Sequence, residues 1–171
     1  MAEKSLEDLF NNSLKDIYYA ERKILSELPK MASAAQSPEL KGAFEKHRQQ
    51  TEVHVERLVE VFGILDQKSA GKTCLAIDGI LAEGAKVMEE FKGTVAMDAA
   101  MIAAAQAVEH YEITRYGTLK RWAQTLGLSD AVQLLNDTLR EESQTDTDLS
   151  GLAAQIANPK AKNLRTEDVA A

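Results

Sequence analysis

Apolar residues recur every three, four or seven positions along most of the chain, with polar residues between them. That period belongs to helices that bury one stripe. Leu6, Phe10, Leu14, Ile17, Ile24, Leu28 and Met31 predict a long first helix from about Ser5 to Ala35. Ser5 with Asp8 three residues on forms a capping start. Pro29 lies inside this stretch and is expected to kink or interrupt it. Ser37-Pro38-Glu39 opens a second helix: a capping hydroxyl, a proline suited to the first turn, and an acid at the positive end of the dipole. Its stripe is Leu40, Phe44, Thr51, Val55, Leu58, Phe62 and Leu65, ending near Asp66. Cys74 to Phe91 predicts a shorter helix, weakened by Gly79 and Gly84. Val95 to Leu126 predicts another long one, with Met101, Ala105, Val108, Tyr116, Leu119 and Trp122 on one side and Gly127 as its stop. Ser129-Asp130 caps the last, which carries Leu135, Thr138, Leu149, Leu152 and Ile156 until Asn158-Pro159 ends it.

Two helical hairpins joined by a long connection with its own short helix predict an all-α four-helix bundle over residues 1–159. Residues 160–171 are expected to form a loosely ordered tail. The hairpins also register on each other. The shift that lays Glu21 on Glu112 lays Leu28 on Leu119, Met31 on Trp122, Phe44 on Leu135, Thr51 on Glu142 and Leu58 on Leu149. One offset serving both helices of each pair suggests a duplicated unit.

Composition narrows the function classes. The length of 171 residues suits one domain, and 44% hydrophobic with 27% charged residues is ordinary for a globular chain. A net charge of −7 argues against nucleic acid or an anionic membrane as the main partner. Cys74 is the lone cysteine and cannot form an internal disulfide, which suits a reducing compartment. The N-terminal residues lack the apolar stretch of a signal peptide, and no apolar run is long enough to span a membrane. A cytoplasmic location is expected. Gly71-Lys72-Thr73 lacks the upstream glycine of a P-loop and is given no phosphate role.

Three glutamates sit on the stripes that should be buried. Glu21 lies between Ile17 and Ile24, Glu112 between Val108 and Leu119, and Glu142 seven residues from both Leu135 and Leu149. Glu109 stands one turn before Glu112. Buried carboxylates without partners are costly, and several converging ones repel unless protonated or bound to a cation. A pair of divalent ions answers both problems. One such glutamate alone is as readily explained by the edge of a stripe; three at matched heights are not. The second helix leaves its contribution open among Glu52, His54 and His47, and Asp146 is the further contributor on the last. Taken singly, His47, His54 and His110 read as surface or hydrogen-bonded histidines. The four tyrosines beside the acids read as packing residues, and Cys74 as a small core residue.

These residues resemble the ferritin-like superfamily and, within it, the YciF-like stress-protein family of bacteria. The likeness is carried by Asp16-Ile17-Tyr18-Tyr19-Ala20-Glu21, by His47 through Val55-Glu56-Arg57-Leu58, and by Ala103 through Val108-Glu109-His110-Tyr111-Glu112-Ile113. It continues through Tyr116-Gly117-Thr118-Leu119 and Thr138-Leu139-Arg140-Glu141-Glu142. The resemblance implies a ferritin-like bundle, a homodimer, a bacterial cytoplasm and a part in stress responses. The wider superfamily holds two iron or manganese ions with Glu-x-x-His pairs. This chain has none: Phe44, Thr51 and Ala107 stand three before its histidines. Its Glu109-x-x-Glu112 resembles the glutamate-rich arrangement of rubrerythrin-like proteins.

The expected function is a ferritin-like stress protein with a carboxylate-rich dinuclear iron or manganese site. Glu21, Glu109, Glu112 and Glu142 are the main ligands, completed by Glu52 with His54 or Asp146. Its chemistry would be ferrous oxidation or peroxide turnover. The competing expectation is a bundle with a degenerate site that acts through protein association. Val59, Val61 and Ile64, outside the main stripe of the second helix, are expected to bury against a second copy.

Overall fold

The computed structural model describes residues 3–162, and every regular element among them is helical. Helix α1 spans Leu6–Ala34, α2 Pro38–Ile64, α3 Leu75–Glu90, α4 Met97–Thr125 and α5 Ser129–Leu152. A π-helical turn, Ala153–Ala157, leads into a short α6, Asn158–Lys162. The tail expected at 160–171 lies outside the described residues from position 163 onward.

Each of the four long helices packs against two others. Helix α1 lies on α2 and α4, and α5 lies on α4 and α2, closing a ring. The neighbours are antiparallel. Gln36 meets Asp98 and Tyr116 meets Glu21 across α1 and α4. Lys46 meets Asp148 and Arg57 meets Thr138 across α2 and α5. With α2 and α4 therefore running the same way, the segment between them must return along the bundle, and α3 does so against α4. The start of this crossover is pinned to α1. Gly71 comes so close that a Cβ there would meet Tyr19 Cβ at 3.2 Å, and Lys72 N–H donates to Lys15 O at 3.1 Å.

Local chemistry fixes the helix ends. Ser5 and Asp8 form a full capping box. Ser37 caps α2 with Pro38 in its first turn. Gly127, at φ +74°, ends α4: its N–H bonds Gln124 O, and Leu128 N–H bonds Ala123 O.

Four expectations change. Helix α1 continues through Pro29 without interruption. Ser129 makes no side-chain cap, and Leu128 occupies the capping position of α5. Pro159 does not stop the chain's helical course. The wider turn just upstream relieves the clash with the carbonyl four residues back, and as the second residue of α6 Pro159 needs no intrahelical N–H. Val61 is fully buried in the chain's own core, so it offers nothing to a second copy, whereas Val59 and Ile64 are exposed at 43% and 39%. No helix among the described residues is long and apolar enough to cross a membrane.

Candidate metal centre

The middle of the bundle is charged. Glu21 of α1, His47 and His54 of α2, Glu109 and Glu112 of α4, and Glu142 of α5 are all buried. Helical spacing puts them there. On α2, Phe44, His47, Thr51, His54 and Leu58 alternate by three and four and share one buried stripe. Glu109 and Glu112, three apart, share a face of α4.

One donor atom from each of His47, Glu109, Glu112 and Glu142 lies within 4.8 Å of the others, and the same holds for Glu21, His54 and Glu142. Glu142 belongs to both groups. His47 Nε2 is 3.3 Å from Glu109 Oε1 and 3.9 Å from Glu142 Oε2. His54 Nδ1 is 2.9 Å from Glu142 Oε1 and 3.6 Å from Glu21 Oε1. Tyr116, fully buried, donates its hydroxyl to Glu21 Oε1.

Few of these atoms satisfy one another. Glu21 Oε2, both nitrogens of His47, His54 Nδ1, Glu109 Oε2 and both oxygens of Glu112 and Glu142 have no hydrogen-bond partner. Each such buried group costs on the order of 1–3 kcal/mol, more if charged. A set of carboxylate oxygens and imidazole nitrogens is the donor chemistry of divalent iron, manganese or zinc. Residues and group fit.

The acidities follow from burial. Desolvation, reinforced by the Glu142 charge, pushes Glu109 and Glu112 well above the usual carboxylate range. Glu21 is also raised by burial, against the pull of His54. Burial lowers His47 and favours its neutral form. Burial would lower His54 too, but the facing carboxylates of Glu142 and Glu21 overcome it and raise the ring to about 11. For Glu142, burial is outweighed by His54 and His47, which hold it below its ordinary value.

Glu52 and Asp146 lie outside both groups. Glu52 follows Thr51 and is rotated by about 100° from it; it is exposed and meets Arg48 at 3.2 Å. Asp146 accepts from Gln106 Nε2 at 2.9 Å and stands 3.3 Å from His110, at the rim between α4 and α5. His47 and His54 are both buried in the cluster rather than at the surface, with His54 Nε2 hydrogen-bonded to Glu141, while His110 is exposed. Their seven-residue spacing on the stripe of Phe44 and Leu58 was the available signal. Glu141 carried no such signal. It is part-exposed, yet it bonds His54 Nε2 at 2.8 Å and pairs with both terminal nitrogens of Arg57 at 2.9 Å. Cys74 is buried, with Sγ 3.0 Å from the Tyr111 hydroxyl. A cavity of about 40 Å³, walled by Ile24, Leu28, Phe44, Ala105 and Val108, adjoins His47 and Glu109.

Comparison with known proteins gives the chain its family. Residues 5–162 match the family described as "Domain of unknown function (DUF892)". The chain is 40% identical to Protein YciF of Escherichia coli (strain K12) over 161 residues, 94% of this chain and 97% of that protein. The crystal structure of the E. coli stress protein YciF matches with a TM-score of 0.85 at 40% identity, over 89% of this chain and 96% of that one. YcfI from Rhodopseudomonas palustris matches with a TM-score of 0.84 at 44% identity, over 86% and 94% respectively. The chain belongs to the DUF892 family and is a YciF-like protein with the helical-bundle fold of those structures.

Proposed function

We propose that this DUF892-family chain is a stress-response protein that holds two divalent ions, iron or manganese, in its buried cluster. His47, Glu109 and Glu112 would hold one ion and Glu21 and His54 the other, with Glu142 available to both. The observation that carries this reading is the set of inward-facing carboxylate and imidazole atoms without partners. When bound, such ions supply redox chemistry, here oxidation of ferrous iron or turnover of peroxide. The chain's own part is electrostatic. Its four carboxylates favour the more highly charged ion, and its apolar walls exclude bulk water. The cavity beside His47 and Glu109 admits a small oxidant.

The reading is tested by elemental analysis of freshly purified protein and by reconstitution of chelated protein with iron(II) and manganese(II). Two ions per chain are expected. No bound metal, with no uptake on reconstitution, overturns it.

One observation favours a second reading. The cluster can balance its own charge: Glu142 and Glu21 favour the protonated ring of His54, while burial favours the neutral form of Glu109 and Glu112. A metal-free bundle of this kind would act through protein association, and it predicts no metal uptake.

We further propose that the protein works in the cytoplasm as a homodimer. Val59 and Ile64 give α2 apolar surface for a second copy. Sedimentation showing only monomer at about the tens-of-micromolar concentrations where weak dimers associate would reject the dimer.

A further inference from the structure

The two cluster histidines sit on one helix face, but they are held differently. Neither ring nitrogen of His47 has a hydrogen-bond partner. His54 is anchored from outside the cluster: its Nε2 meets Glu141 Oε2 at 2.8 Å. Glu141 is itself fixed. Arg57 NH1 and NH2 donate to its two oxygens, each at 2.9 Å, and NH1 also donates to Thr138 Oγ1 at 3.2 Å. A bidentate arginine–carboxylate pair sets the plane of the carboxylate as well as its position. With Nε2 committed to Glu141, the ring can turn only Nδ1 inward, 2.9 Å from Glu142 Oε1 and 3.6 Å from Glu21 Oε1.

We propose that Glu141, held by Arg57, is a positioning residue that locks the His54 ring with Nδ1 facing Glu21 and Glu142. An outer carboxylate of this kind fixes which nitrogen is free to ligate and in what direction. The inference rests on the metal reading for its consequence, but the ring orientation stands without metal. The lock acts on one half of the cluster only. The half built from His47, Glu109 and Glu112 lacks it, so loss of Glu141 separates two affinities that a general loosening of the bundle would lower together.

The test uses the full chain, cobalt(II) as the probe, and the variants Glu141→Ala and Glu141→Gln. In metal-free wild type, the His54 Hε2 resonance should be visible by NMR and protected from solvent exchange. It should vanish in Glu141→Ala and return in part in Glu141→Gln, whose amide oxygen still accepts. On cobalt titration, one of two binding steps should weaken about 10–100-fold in Glu141→Ala and less in Glu141→Gln, with the other step unchanged. Equal weakening of both steps, or of neither, overturns the proposal, as does an unprotected Hε2 in wild type. If wild type binds no cobalt, the metal reading fails by itself, and the Hε2 signal across the variants still decides whether Glu141 locks the ring. Should Glu141→Ala fail to fold, Glu141→Gln carries the same comparison.

Discussion

His54 Nδ1 and Glu142 Oε1 stand 2.9 Å apart, the approach of a charged pair when the ring is protonated. Two atoms that close normally point a proton at each other. The same separation also suits two ligands of one ion: donors about 2.1 Å from a common centre and at right angles to it lie about 3 Å apart. Glu142 also takes part in the group containing His47, Glu109 and Glu112. The same carboxylate thus faces two candidate positions, which is what a bridging ligand requires.

Metal should stabilise the fold, and Glu112→Gln should blunt that effect. An ion bound only by the folded state, present at a hundredfold excess over its dissociation constant, contributes about 2.7 kcal/mol. For a chain of this size that is a rise in Tm of roughly 5–11 °C. Both oxygens of Glu112 are buried and without partners, so the Gln variant loses a charged ligand and little else. Each tenfold loss of affinity removes about 1.4 kcal/mol, or roughly 3–6 °C of the shift. Thermal unfolding with chelator, iron(II) and manganese(II) gives the comparison. An unchanged Tm in wild type would count against any metal.

The dependence of stability on pH should reverse with metal. Glu21, Glu109 and Glu112 are raised by burial in the folded chain, and Glu142 and Glu21 raise His54 to about 11. A group raised on folding contributes stability that is complete below its unfolded pKa and lost as pH climbs through the folded one. The metal-free protein should therefore lose Tm as pH rises above the ordinary carboxylate range of about 4, and more steeply above the ordinary histidine value of about 6.5. Glu141 and Glu142, held low by Arg57 and by the two histidines, and His47, held low by burial, act in the opposite sense, each on the acid side of its ordinary value. Metal needs the deprotonated ligands, so the loaded protein should gain Tm over the same interval. Parallel profiles with and without metal would contradict this.

The periodicity of apolar residues is enough to find five helices and their hairpin pairing, because each long helix buries one continuous stripe. It also finds Glu21, Glu112 and Glu142, since an acid on such a stripe breaks a visible pattern. It does not choose between Glu52 and His54. That choice turns on which residue continues the run through Phe44, His47, Thr51 and Leu58, and only His54 does. Glu141 is illegible for a different reason. It lies off the buried stripe, and its role comes from Arg57, which is far away in sequence and adjacent only once α2 and α5 pack. The fate of Pro159 depends on a local widening of the helix that no propensity rule anticipates.

Asp98 should matter for stability although it touches no cluster residue. It is buried in the first turn of α4, and its two oxygens accept from the backbone N–H groups of Gln36 and Ser37 at 2.7 and 2.8 Å. It thereby ties the α1–α2 turn to the crossover's end. Asp98→Ala leaves both donors without that charged acceptor and should cost about 2–4 kcal/mol. Asp98→Asn keeps one acceptor oxygen and should cost less. Urea unfolding of both variants measures the difference, and equal stabilities would refute the tie.

Tyr116→Phe should separate the metal-free protein from the loaded one. The Tyr116 hydroxyl donates to Glu21 Oε1, and the other oxygen of Glu21 has no partner. Without metal, removing the hydroxyl strips a buried carboxylate of its direct donor while His54 stays 3.6 Å away. The loss should be about 1–3 kcal/mol. With metal bound, Glu21 has a cation to face, so the cost of the same substitution should shrink toward that of removing a single hydroxyl. Unfolding of wild type and Tyr116→Phe, each with chelator and with manganese(II), forms a two-by-two cycle. The same clear destabilisation in both states, a coupling near zero, would mean that Glu21 does not contact the ion. A variant as stable as wild type in both states would make Tyr116 a packing residue alone, as its position on the Val108–Leu119 stripe of α4 first implies.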